Sequence, residues 1–326
     1  MQGLAYLRDH TIGRNVWAHN VLTSYYVNRS DQFPVDFCLY SQFNRKYEER
    51  VLKSAVEQLR QEFGLEQVRS YLVKLFSFHY REQLYHPKTE MGGWLVEDAV
   101  EWGLPFSIVL FDSWFLRQRL ITFIEAANKE WIGACPKDRR VLVNNRTMQL
   151  QEYIRTIPAE AYRPYRIGSH CYWAFTKVLP MKPLNRRRVR IVASYEDEVN
   201  LGKTPDFYAT NRKEWEAKRI LTTYLDRWPT ETYYEDAKGN LGFEDYQLRQ
   251  VIAIRRHWYL SFVAYSLLGD QSPPGRSRWA VRGRFQSTGQ RCQAVVDELL
   301  AYLVQWICEQ INLGATPEHI LNRLLA

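Results

Sequence analysis

Apolar and polar positions change period several times along the chain, and each change predicts an element. Val16 to Val27 is dense in β-branched and aromatic residues between Gly13-Arg14 and Asn28 to Asp31, and predicts a strand with Phe37 to Tyr40 as a short partner. From Glu48 to Glu62, Val51, Ala55, Val56 and Leu59 recur at helical spacing, and Val68 to Phe78 continues in the same style, so a pair of helices is expected. Glu90 to Trp102 predicts another helix, ended by Gly103-Leu104-Pro105. The short apolar run Phe106 to Phe111 then suits a strand buried on both faces of a partly parallel sheet. Asp112 follows it, and a helix is expected from Leu116 to Asn128.

From Ala134 to Thr204 the pattern changes. Arg139-Arg140, Arg186 to Arg188 and several prolines interrupt candidate strands at Tyr172 to Val178 and Val189 to Tyr195, which together predict a β-rich segment. Helical patterns return at Trp215 to Tyr224 and in the strongly apolar stretch Val251 to Leu268. Asp270 to Gly275 reads as a linker. Beyond it Arg276, Arg278, Arg282 and Arg284 alternate with Trp279, Val281 and Phe285, and a last amphipathic helix from Arg291 to Ile311 precedes a short tail.

Composition narrows the class. Lys plus Arg number 44 against 36 Asp plus Glu, a formal charge of +8 that fits a polyanionic partner. Aromatics make up 14%, and although most must fill the core, rings beside arginine also suit stacking on exposed bases. Five scattered cysteines with no Cys-x-x-Cys pair point to reduced thiols in a cytoplasmic protein. No stretch approaches the roughly 18 uncharged apolar residues of a membrane span, and no secretory leader pattern opens the chain. A Walker loop and a dinucleotide fingerprint are both missing from the sequence.

The chemistry concentrates in Tyr224-Leu-Asp-Arg227-Trp-Pro-Thr-Glu231-Thr-Tyr-Tyr-Glu-Asp-Ala-Lys238. On a helix advancing about 100° per residue, Tyr224, Arg227, Glu231 and Lys238 fall at roughly 0°, 300°, 340° and 320°, on one narrow face. A carboxylate among two cations and a phenol can hold a metal while the cations meet phosphate oxygens; equally, such a stripe can be a solvated face with salt bridges. Pro229 favours a kink or a fresh helix start, with Trp228 as N-cap. Asp112 has two readings as well: the N-cap of the following helix, or a ligand-binding carboxylate beyond the end of a sheet strand. His257, at the start of an apolar helix, reads as a surface or capping histidine rather than a ligand.

The spacing Tyr, two residues, Arg, three residues, Glu, six residues, Lys resembles the signature of the DDE transposases of bacterial insertion sequences, in the IS-four-like group. Leu241 to Arg249 and Arg256-His257 resemble the family's continuation, and Phe111 to Phe115 resembles the turn that carries its second catalytic acid. The resemblance implies an α/β fold with a ribonuclease-H-like core, interrupted by a β-rich insertion that contacts DNA and followed by a helical C-terminal part. On that scheme residues 1–133 open the core, 134–210 form the insertion, 211–269 complete the core with the Glu-bearing helix, and 270–326 form a basic linker and final helix.

The resemblance further implies Asp112 and Glu231 as metal ligands for Mg²⁺ or Mn²⁺, two ions in a complete site. Tyr224, Arg227 and Lys238 would steady phosphates of double-stranded DNA, at transposon ends and at the target, and a homodimer would act on it at the bacterial nucleoid. The family's first Asp lies upstream of the segment that Gly3 to His19 resembles, so a truncated, weakly active or inactive copy is expected; Asp9, Asp31 and Asp36 are the nearby acids. A non-catalytic DNA-binding remnant and a metal-dependent nuclease of the same fold are the alternatives.

Overall fold

The computed structural model describes residues 4–8, 13–40, 86–269 and 287–325, together with Lys53, Glu57 and Gln61, which are helical. Apart from those three positions, the helices expected at 48–62 and 68–78, Asp9, the linker at 270–275 and the arginines at 276–284 lie outside the described residues. The chain divides into two units, Met1–Asp31 with Val35–Thr230, and Gln32–Pro34 with Glu231–Ala326.

Early in the chain β1 (Ala5–Arg8) pairs with β2 (Asn15–Ala18), and β3 (Asn20–Val27) with β4 (Gln32–Tyr40). The single strand expected at 16–27 is thus two strands, divided at His19. The side chain of Asn28 accepts from the backbone N–H groups of Ser30 and Asp31, both at 2.7 Å, an Asx turn that reverses the chain. Helix α1 (Lys88–Glu101) ends in a Schellman motif: Leu104 N–H donates to Ala99 O and Gly103 N–H to Val100 O, with Gly103 at φ 71°, a left-handed conformation that glycine adopts without strain.

The main sheet starts with β5 (Ile108–Phe111), parallel to β6 (Glu130–Ala134) and joined to it through helix α2 (Gln118–Ala126). It continues through β7 (Arg140–Val143), β8 (Arg146–Gln149), helix α3 (Leu150–Ile154), β9 (Arg163–Ile167), β10 (His170–Met181), β11 (Arg187–Glu196) and β12 (Asp206–Thr210). The strand order is β5-β6-β12-β11-β10-β7-β8, with β9 also on β10, so the strands between 140 and 210 hydrogen-bond into the same mixed sheet as β5 and β6. β10 and β11 form a long hairpin, in register from Tyr172 opposite Glu196 to Met181 opposite Arg187.

Both faces of this sheet are covered. Along β11, Val189, Ile191, Ala193 and Tyr195 enter one core with Leu120, Ile121 and Ile124 of α2, while Val192 enters the opposite core with Ile132 and Ala174. The period-2 alternation therefore reads as an almost unbroken buried run. Helix α4 (Ala217–Leu225) covers the second face with Ala217, Ile220 and Leu221 at helical spacing, each fully buried branched side chain contributing about 1.5–3 kcal/mol.

From Glu231 onward the second unit's regular elements are helices among its described residues: α5 (Pro229–Asn240) from Glu231, α6 (Val251–Gly269), α7 (Thr288–Asn312) and α8 (Pro317–Leu325). Tyr233 packs edge-on against Phe262 and Tyr265, at 5.5 and 4.9 Å between centroids. The segment between α5 and α6 is fastened by His257 Nε2 against Gly242 O at 2.8 Å and by Trp258 Nε1 donating to Phe243 O at 3.2 Å, so His257 anchors a loop. The expected short tail instead carries α8: Thr316 accepts from His319 N–H, Pro317 takes the first helical position and Ile320 is buried.

Two predictions test this packing. Phe111 lies across Gly133, where an added Cβ would stand 2.1 Å from the ring, so Gly133→Ala is expected to lower unfolding free energy by about 1–3 kcal/mol in urea titrations. Burial pushes the Cys135 thiol up to about 12 from an ordinary 9.0. A raised folded-state value means that this contribution to stability is intact below pH 9 and lost as pH climbs through 12. At pH 8.5 iodoacetamide should therefore label exposed Cys308 readily and Cys135 only after unfolding.

Candidate functional site

The end of β5 is the chemical focus of the first unit. Asp112 is exposed and follows the strand directly. Its Oδ1 accepts from Trp114 N–H at 2.8 Å and its carbonyl from Phe115 N–H at 3.2 Å, shaping a 3-10 turn at Ser113–Phe115. The capping reading is thus correct for this turn, whereas α2 begins later, after Arg117. A carboxylate that caps through one oxygen keeps its charge and further lone pairs for a cation, so the two readings of Asp112 are compatible. The turn also turns Trp114 outward, 61% exposed.

Tyr224 and Arg227 come to the same strand end. Ala217, Ile220 and Leu221 hold α4 to the sheet, and Tyr224, next on that face, reaches over the ends of the parallel pair. Its hydroxyl donates to Phe111 O at 3.3 Å, and its ring lies 4.7 Å from that of Tyr208. The Arg227 guanidinium sits 5.7 Å from the Tyr224 ring centre. Burial raises the Tyr224 phenol above its ordinary range and the Asp112 charge adds to that, while Arg227 and the Ala134 backbone oppose it. Tyr208 is likewise raised, mainly by burial. Both phenols therefore stay protonated at neutral pH, as hydrogen-bond donors rather than bases.

A fourth residue belongs here that sequence reasoning missed. Lys88 opens α1, with its Nζ 5.1 Å from the ring centre of Tyr40 at the end of β4. Burial lowers the Lys88 ammonium from its ordinary value, and the Asp112 carboxylate works against that drop. Nothing in Pro87-Lys88-Thr89 distinguishes it from any charged residue at a helix start.

The signature is not one helix. α4 ends at Leu225, i→i+3 bonds from Arg227 N to Tyr224 O and Trp228 N to Leu225 O close the turn, and α5 starts afresh at Pro229. The single continuous helix on which all four residues share a face is thus interrupted at Pro229. Tyr224 and Arg227 belong to the first unit, and Glu231 and Lys238 to the second, where Glu231 lies in the first turn of α5 and Lys238 in the last. Lys238 Nζ is paired with Glu244 at 2.7 Å on the surface. Of the Arg186 to Arg188 run, Arg186 and Arg188 are exposed around the β10–β11 hairpin tip, and Arg187 pairs with Glu125.

Among the described residues no cluster of three or more His, Cys, Asp or Glu is placed to hold a metal ion. Asp112 by itself fits the other mode open to a hard divalent cation: one or two carboxylates, with water and substrate phosphates completing the shell. The cations beside it suit the phosphate half of such a shell.

A mixed sheet covered on both faces, with an exposed acid at the end of a parallel strand, defines a mixed α/β protein. The family described as Transposase DDE domain matches residues 95–267, more than half of the chain, and the protein belongs to that family. The match takes in β5, Asp112 and every residue of the Tyr224 to Lys238 signature. Membership implies DNA as the substrate in general, and the family generally uses divalent metal ions. No curated protein matches the chain. Among the described residues no helix is long and apolar enough to cross a membrane.

Tyr224→Phe removes the hydroxyl from the strand end. It is expected to lower unfolding free energy by about 0.5–1.5 kcal/mol while leaving the far-UV dichroism unchanged, measured by denaturant titration.

Proposed function

We propose that this protein is a DNA-cutting and strand-transferring transposase of the Tyr-Arg-Glu-Lys signature group, with a ribonuclease-H-like core. Asp112 and Glu231 are its metal ligands, and Tyr224, Arg227 and Lys238 contact DNA phosphates. The observation that carries this reading is the convergence on one strand end of Asp112 and, 113 residues beyond Phe111 in sequence, the Tyr224 hydroxyl with Arg227 beside it. A structural salt-bridge network has no need of an exposed carboxylate at the end of a parallel strand, next to a protonated phenol and a guanidinium. A site for a metal-bound phosphodiester needs all three.

Bound Mg²⁺ or Mn²⁺ supplies activation of water or a 3′-hydroxyl and stabilisation of the leaving oxygen. The protein's own part is positioning. Asp112 offers carboxylate oxygens from a turn that its own cap holds rigid. Tyr224, kept protonated by burial, is a donor for a phosphate oxygen, and Arg227 adds a delocalised cation suited to the same group. Glu231, at the start of α5, supplies the second carboxylate. Lys238 reaches a phosphate by exchanging its surface partner Glu244.

The test is Mg²⁺-dependent cleavage of double-stranded DNA. Asp112→Asn keeps an oxygen that can accept from Trp114 N–H while removing the charge, and Glu231→Gln is equally conservative. Each is expected to reduce cleavage by about 100-fold or more, the scale of losing one charge-stabilising group, with DNA binding retained. Cleavage that survives undiminished in both variants would refute the assignment. Binding without cleavage by the unaltered chain would favour the non-catalytic reading.

A further inference from the structure

We propose that the indole of Trp114 stacks on an unpaired base of the DNA strand held at the Asp112 strand end, so that the protein takes DNA with open base pairs in preference to intact duplex. The inference rests on the transposase reading above and extends it to a residue that the signature does not contain.

The turn that carries Trp114 sorts its side chains by direction. Phe115 and Leu116 pack inward on the core of the first unit, Leu116 completely buried, and a Cβ at Gly92 of α1 would lie 3.7 Å from the Phe115 ring. Asp112, Ser113 and Trp114 are left on the solvent side. The turn is therefore held from behind by packing and from within by its cap. That cap is the Trp114 N–H itself, which donates to Asp112 Oδ1 at 2.8 Å. The residue that bears the indole is thus tied to the carboxylate proposed to hold the metal. Trp17, Trp102 and Trp228 are exposed to a similar degree, but of these four only Trp114 is hydrogen-bonded to Asp112.

A large ring fixed in solvent leaves its favourable burial unused until something flat covers it. In a DNA site that partner is a base, and a base can lie on the ring only if one of its own faces is open. Within a duplex each base is covered by its neighbours, whereas a frayed or mismatched position offers a π-face at the least cost in unpairing. The surroundings suit the backbone of the same strand. Arg117 is the next exposed side chain after Trp114, and Arg139 donates from Nη2 to Leu116 O at 3.2 Å, which brings a second guanidinium to the turn. An aromatic face for the base beside cations for the phosphates is the combination by which proteins hold single strands.

The experiment compares the affinity of the full chain for a fully paired duplex fragment and for the same fragment with its terminal base pairs mismatched. It is repeated with Trp114→Ala, Trp114→Phe and, as a control at the far end of α1, Trp102→Ala. Alanine keeps the backbone N–H that Asp112 accepts, so the turn and its carboxylate are retained. The unaltered chain should bind the mismatched end about 5- to 100-fold more tightly, the range of one base stack. Trp114→Ala should bring the two affinities together, while Trp114→Phe and Trp102→Ala should keep most of the difference. Equal affinities for the unaltered chain, or a preference that persists in Trp114→Ala, overturn the proposal. So does a loss shared by Trp114→Phe or by Trp102→Ala, since neither removes an aromatic face from the strand end. If the unaltered chain binds neither fragment, the transposase reading itself fails, and this contact with it. Cleavage that is lost in Asp112→Asn, beside an unchanged preference in Trp114→Ala, would overturn the stack alone.

Discussion

The close approach of Phe111 to Gly133 sets the geometry of the strand end. These residues face each other across the parallel pair β5–β6, and the Phe111 ring occupies the space where a side chain on residue 133 would stand. The strand is held there, so its last carbonyl is available to Tyr224, and the residue after it leaves the sheet at a fixed position. Asp112 owes its exposure to that position, since it is the first residue beyond the sheet and cannot share the burial of Phe111. A longer side chain at 133 would disturb chemistry with which it has no contact of its own.

From that point the electrostatics follow. A carboxylate at the surface keeps its charge, while the phenols of Tyr208 and Tyr224, tucked against the sheet, keep their protons. Arg227 and Lys88 reach the same place from different elements, one from the turn after α4 and one from the head of α1. The arrangement joins a hard oxygen ligand to several donors within one small region. The family to which the chain belongs generally uses divalent metal ions.

Much of the fold was legible because its periods are clean. The strand ending at Phe111, the helices at 88–101, 217–225 and 251–269, and the β10–β11 hairpin all stand within a few residues of their expected limits. The departures have local causes. His19 divides one expected strand into two and Thr316-Pro317 starts a helix in the expected tail, while Pro229 makes the fresh helix start that is one of its two expected outcomes. Proline has no N–H to lose at a first helical position, so it marks a beginning there as readily as a break.

The sequence by itself determined the chemical inventory: the spacing of Tyr224, Arg227, Glu231 and Lys238, the acid that closes a short apolar run, and a basic balance suited to a polyanion. Those features are local, and local order in the chain is enough to reveal them. Tertiary structure alone decided which of these groups meet. The Tyr224 hydroxyl finds the Phe111 carbonyl because α4 buries Ala217, Ile220 and Leu221 on the sheet, and α1 settles against Phe123 because Gly93 has no Cβ to meet that ring. Both placements follow from side-chain volumes packed between distant segments, and volumes leave no periodic mark in the sequence from which such a meeting could be read.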